Sequence, residues 1–241
     1  MSFNPPQHYI VFDGTSLADF GVYVSGEGTF LSPERDYDIT EVPGKNGDLY
    51  FDRGRFKNVE VKYPSFILEH LRKNMSGLRS YMLKKHGYLR LEDTYHPEEY
   101  RLAVFKGPIE PDDIIWLQAG KFDLTFDCKP QRWLKVGELP IELTSTTNIY
   151  NPTDFDAKPL LRVYGKGALG VGSNTLTIAQ HSNAYIDIDC DLMDCYCGTT
   201  NCNSLVTLSS GNFPVLEPGA HGVSLGTGIT KVIVWPRWWK V

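Results

Sequence analysis

At 241 residues, with 41% hydrophobic and 22% charged side chains, the chain has material for one large β domain or two smaller ones. A net charge of −5 with no lysine–arginine stripe argues against a protein held to nucleic acid by its phosphates. No run approaches the ~20 apolar residues needed to cross a bilayer. The opening MSFNPPQHYIVF lacks the basic-then-apolar order of a secretion signal, so folding in a reducing cytoplasm is expected.

With 22 glycines and 15 prolines, many short strands and turns are favoured over a helical bundle. HYIVF (8–12) and FGVYV (20–24) read as two strands. An arm follows over residues 32–62, reversing at VPGKNGDLYF (42–51), where glycine and asparagine accept the positive φ of a tight turn. Its flanks, RDYDITEV (35–42) and RFKNVEVKY (55–63), are strongly charged and look too poor in apolar residues for a core. The first half carries Glu34, Asp36, Asp38 and Glu41 against Arg35; the second carries Arg53, Arg55, Lys57 and Lys62 against Glu60. These halves either pair with each other across the hairpin or meet the opposite half of a neighbouring copy in a head-to-tail ring.

One helix is expected, over residues 65–86 within PSFILEHLRKNMSGLRSYMLKKHG (64–87), started by Pro64 and Ser65 and stopped at Gly87. Ile67, Leu71, Met75, Leu78 and Met82 form one apolar stripe, suited to packing on a sheet. Strands are expected at 88–92, 99–106, 113–118 and 121–128, giving an α+β pattern. KPQRWLKVGELP (129–140) breaks the alternation and marks a boundary between a first domain, 1–132, and a second, 139–241. Beyond it PLLRVYG, NTLTIAQ, AYIDIDC, SLVTLSS, GVSLG and KVIVW recur with turn residues between them, as in a β-sandwich. The fold class is therefore mainly β: an α+β first domain with one helix and a hairpin arm, then a sandwich.

Sites of chemistry are scarce. GKGALG (165–170) fits GxGxxG, but a strand and not a helix follows, so it reads as a loop. Asp187, Asp189 and Asp191 alternate as in a calcium loop, yet Leu192 and Gly198 stand where glycine and glutamate are required. Cys190, Cys195, Cys197 and Cys202 crowd together without the paired CxxC spacing of a zinc site. If GTTN (198–201) is a four-residue hairpin loop, Cys197 and Cys202 face each other, as reduced packing residues, a cross-strand disulfide or part of a metal site. There is no GxSxG elbow, and the six histidines lack metal spacing. Trp235, Trp238 and Trp239 are a candidate sugar-stacking platform, though large aromatics near a chain end more often sit in a core or interface.

In this order and spacing, the arm with EVPGKNGDLY, GYLRLEDTYHPEEYRLAVF (87–105), FDLTFDCKPQRW (122–133), KPLLRVYGKG (158–167), AYIDID (184–189) and NFPVLEPGAHGVSLG (212–226) resemble the distal tail proteins of long-tailed phages, the Dit family. The resemblance implies a non-enzymatic virion protein without cofactors, made in the host cytoplasm and placed at the distal end of the tail. It implies a homo-hexameric ring of N-terminal β-barrels around a channel through which DNA passes. The arm would lie as a belt on the adjacent subunit through Arg35, Asp36, Asp38, Glu41, Arg53, Arg55 and Lys57. The second domain resembles a galectin-like or carbohydrate-binding-module sandwich that holds baseplate partners: the tail tube protein, the tail-associated lysin or fibre hub, and receptor-binding proteins. HSNAY (181–185) lacks the arginine expected two residues after the asparagine of a galectin site, which favours docking over sugar binding. Host-glycan adhesion through the second domain is the alternative function, and a cell-wall hydrolase is a further rival.

Overall fold

The computed structural model describes residues 8–25, 31–115 and 119–241, the side chains of 112–115 excepted. It is mainly β and divides into two compact units, the first running to Arg132 and the second spanning Trp133–Lys240.

The first unit contains β1 (Ile10–Phe12), β2 (Thr15–Ser16), β3 (Val22–Val24), β4 (Arg35–Thr40), β5 (Leu49–Phe56), β6 (Val59–Ile67), α1 (Leu71–Leu83), β7 (Leu89–Asp93), β8 (Glu99–Phe105), β9 (Pro111–Ile115) and β10 (Ala119–Leu134). Seven of these strands join in the order β2-β1-β7-β8-β10-β6-β3, a sheet curled into a half-barrel, with β9 paired to the start of β10. Period-two alternation fixes its inner face. Along β6, Val59, Val61, Tyr63, Ser65 and Ile67 are buried while their neighbours are not. Phe126 sits at the centre of the core, its ring 5.2 Å from Phe12 and 5.5 Å from Phe105.

Three expectations are corrected here. VEVKY (59–63), assigned to the charged arm, is a core strand: β6 keeps Glu60 and Lys62 outward and Val59, Val61 and Tyr63 inward. The helix begins at Leu71 instead of residue 65, because Pro64 and Ser65 stay in β6, in register with Asp123 and Phe122 of β10. Ile67 is buried as part of that strand, while Leu71, Met75, Leu78 and Met82 form the helix's inward stripe. At the other end α1 stops at Leu83, and Lys85 turns back to Asp13 at 2.6 Å. Finally, β10 does not break at Lys129 but continues through Pro130 to Leu134. Of the strand expected at 113–118, residues 116–118 lie outside the described residues.

The second unit contains β11 (Ile141–Leu143), β12 (Thr147–Asn151), β13 (Leu160–Gly165), β14 (Gly167–Val171), β15 (Asn174–Ile178), β16 (Ile186–Asp189), β17 (Asp194–Cys197), β18 (Thr200–Asn201), β19 (Val206–Leu208), β20 (Gly219–Leu225) and β21 (Ile229–Trp235). One sheet runs β11-β21-β13-β16-β17-β18 and the other β12-β20-β14-β15-β19. Leu161, Val163, Ile188 and Val234 of the first meet Leu169, Val171, Leu176 and Val223 of the second in a single core, which makes the unit a β-sandwich.

GKGALG has a structural purpose. It links β13 directly to β14, and the φ of Gly165 is +102°, a region L side chains avoid. A Cβ there would also strike the carbonyl oxygen of Gly228. Gly165→Ala is expected to lower the stability of the second unit by about 1–3 kcal/mol through backbone strain, read as an earlier denaturant midpoint.

Candidate assembly surface

The arm is a two-stranded ribbon of β4 and β5, which pair only with each other among the named strands. Gly44 and Gly47, at φ of +80° and +85°, close its tip. Residues opposite each other across the ribbon share a face. The register Ile39↔Tyr50, Tyr37↔Asp52 and Asp38↔Phe51 therefore gives the ribbon two distinct sides.

One side carries an ionic ladder. Arg55 donates to Asp36 at 2.7 Å, and Arg53 reaches Asp38 through Nε at 2.9 Å and Nη2 at 2.5 Å. Hydrogen bonding from Arg53 holds the Asp38 carboxyl below the usual carboxylate range, and the same bond raises Arg53. Two further cross-ribbon pairs lie toward the base: Arg35–Asp52 at 3.3 Å, on the opposite side because Asp52 stands across from Tyr37, and Lys57–Glu34 at 3.6 Å. Six of the seven charged arm residues singled out in the sequence thus meet partners within their own hairpin; Glu41 lies exposed beyond them.

Beyond the Arg35–Asp52 pair, the other side is apolar. Tyr37 and Tyr50 meet edge to face at 5.6 Å beside Ile39, and all three are exposed. Leu49 and Phe51 add apolar surface near the tip of the ladder side. Ile39, Tyr50 and Phe51 are 57%, 60% and 59% exposed, an apolar cluster of the kind that marks an interaction surface. The sequence reading overlooked these residues by concentrating on charge. Their signal was present in LYF immediately after the turn.

The base of the arm is fixed. Asn58, between β5 and β6, donates to Tyr88 Oη at 2.6 Å and to Asp127 at 3.0 Å, and the Lys57 amide bonds to the Glu34 carbonyl at 2.8 Å.

In the sandwich the other candidates are engaged in structure. Asp187 accepts a bidentate pair from Arg162 at 2.7 and 2.8 Å, and Asp189 another from Arg237 at 2.7 and 2.8 Å. These carboxylates face arginines, and neither arginine was identifiable as a partner from spacing. Among the described residues no three His, Cys, Asp or Glu side chains are placed to hold one metal ion. Trp238 is buried in the core, the Trp235 ring lies 5.5 Å from the Arg162 guanidinium, and Trp239 stacks on Phe155 at 4.6 Å. The three indoles therefore have three different settings. His181 contacts the Gly165 carbonyl at 2.9 Å, and Asn183 donates to the Cys202 sulfur at 3.4 Å.

The cysteine register differs from expectation. Only Gly198 and Thr199 form the turn between β17 and β18, so Cys197 faces Thr200, and Cys202 lies opposite Cys195, whose carbonyl accepts its amide at 2.7 Å. All four are free thiols. Burial pushes the Cys190 and Cys195 thiols up to about 12 and raises Cys202. A thiol-specific disulfide reagent at pH 8 is expected to modify the half-buried Cys197 first, with Cys190, Cys195 and Cys202 reacting only on unfolding. Uniformly fast labelling of the native protein would contradict this burial.

No family model matches the sequence, and no curated protein matches it. The fold does have a counterpart among solved structures, and the likeness runs through both units. The structure is similar to the Dit (gp 19.1) protein of phage SPP1, described as a paradigm of the hub adsorption apparatus in phages infecting Gram-positive bacteria. The TM-score is 0.75 at 13% identity, covering 98% of this chain and 100% of that one. The phage p2 baseplate in its activated, strontium-containing conformation also matches, with a TM-score of 0.48 at 13% identity over 94% of this chain and 97% of that one.

Proposed function

We propose that this chain is a non-enzymatic structural protein of a long-tailed phage, acting as the hub at the distal end of the tail tube. Six copies close a ring through their first units, and DNA only transits the channel. Each arm lies on the adjacent subunit, and the galectin-like sandwich provides attachment for the tube, the fibre hub or lysin, and receptor-binding proteins. The observation that carries this reading is the likeness to SPP1 Dit through both units. It is supported by a ribbon whose apolar side has little cover within its own chain. In a heterologous ring that side meets a different patch on the next copy, and six repeated contacts add to a stable assembly.

Immunogold electron microscopy of virions, with mass photometry of the purified protein alone and mixed with its tail neighbours, tests the proposal. Label confined to the tail tip and a six-copy particle are expected. Label along the tail or on the head, with no sixfold particle in any mixture, would refute it. Undiminished turbidity of a cell-wall suspension in its presence is the matching expectation for a protein that is not a hydrolase.

A further inference from the structure

Arg101, on β8 in the first unit, is 7% exposed, and both of its terminal nitrogens, Nη1 and Nη2, are buried without a hydrogen-bond partner. A guanidinium does not shed its proton in a protein. Its charge is therefore held away from water and needs an anion beside it.

The anionic groups nearby are committed elsewhere. Asp93 Oδ2 accepts the Tyr63 hydroxyl at 2.8 Å, and Oδ1 accepts the amides of Tyr95 and His96 at 3.0 and 2.8 Å while contacting His96 Nδ1 at 3.0 Å. Glu99 is paired with Arg132 at 2.5 Å. Burial pushes the Cys128 thiol up to about 12 and holds the Tyr63 hydroxyl well above its ordinary range, so both stay neutral near pH 7. Burial and the positive charge of Arg132 weigh against the charge on Arg101, and the nearby Asp93 carboxylate, although bonded elsewhere, offsets part of this.

Arg101 and Arg132, with His96, Tyr100, Leu91 and the carboxylates of Asp93 and Glu99, line a cleft of about 10 Å³, the room of a single water-sized guest. We propose that Arg101 and Arg132 hold one monoatomic anion of halide size in this cleft, chloride under ordinary conditions. The space is too small for a phosphate ester or an organic carboxylate. The two guanidinium groups supply the N–H donors that a bare anion, unlike water, can use without needing an acceptor in return. Glu99, paired with Arg132, and Asp93, bonded to Tyr63 and the Tyr95 and His96 amides, share the lining and limit the site to a single negative charge.

The probe is bromide. Crystals of the full chain soaked in sodium bromide are expected to show an anomalous peak within hydrogen-bond distance of Arg101 Nη1 and Nη2. At fixed ionic strength, exchanging gluconate for chloride is expected to raise the melting midpoint of the first unit saturably, by about 3 °C or more. Arg101→Gln should remove that difference. The bromide experiment on the unaltered protein stands even if the variant does not fold. Density for water alone in the cleft, with melting indifferent to the choice of anion, would overturn the proposal.

Discussion

Replacing Ile39, Tyr50 and Phe51 together by serine is expected to abolish formation of the proposed ring while leaving the melting of the isolated chain unchanged. All three are more than half exposed, so their loss opens no cavity in the chain itself. In an interface, by contrast, buried aromatic and aliphatic anchors contribute ~2 kcal/mol or more each, and losing several weakens a contact about 1,000-fold or more. Arg53→Gln should do far less. Its partner Asp38 lies in the same hairpin, and both side chains are half exposed, so water and salt already screen the pair. Mass photometry of the assembling mixture reads both variants. If rings form normally with the serine triple variant but fail with Arg53→Gln, the ion pairs and not the exposed apolar side chains make the contact.

The second large effect is expected at Asp189. Its side chain is almost fully buried, accepting two N–H groups from Arg237 and the backbone amides of Asp191 and Leu192 at 3.0 and 3.1 Å. Asp189→Ala leaves Arg237 without its counter-charge, and breaking such a pair costs about 3–5 kcal/mol. The lower end is expected here because the Arg237 side chain retains 29% exposure. The pH dependence has a definite sign. Burial alone would raise the Asp189 carboxyl, but Arg237 and the two amides outweigh it and hold the group below 3.8. A depressed folded value contributes stability that is fully present above 3.8 and is lost as pH falls through the folded value. The second unit's denaturation midpoint should therefore show no Asp189 contribution to its slope near neutrality, and its loss in acid should be shallower in Asp189→Ala. An equally steep acid slope in the variant would assign that titration to other groups.

Much of this architecture was legible because alternation is a local signal. Runs such as EYRLAVF (99–105) announce a strand, and the Leu71, Met75, Leu78 and Met82 stripe announces the helix face. What failed was local evidence overridden by pairing. Pro64 and Ser65 look like a helix start, yet β10 offers them a strand partner, and tertiary hydrogen bonding prevails over a start signal. The cysteine register depended on whether the turn used two residues or four, and spacing alone does not decide that. The arm was found by its turn, but its apolar side became visible only when cross-strand register put Tyr37, Ile39 and Tyr50 together. The isolation of Arg101 was wholly illegible, since it follows from what Asp93 and Glu99 bond to elsewhere.

The short splice between arm and sheet has mechanical meaning. Only Lys57 and Asn58 separate β5 from β6, and Asn58 is clamped to Tyr88 and Asp127. The ribbon is thus a lever welded to a load-bearing strand, with little swing of its own and little freedom to lose when another surface grips it. Force applied at its tip passes straight into β6 and on to β10, so a tug on the ribbon is felt in the wall of its half-barrel.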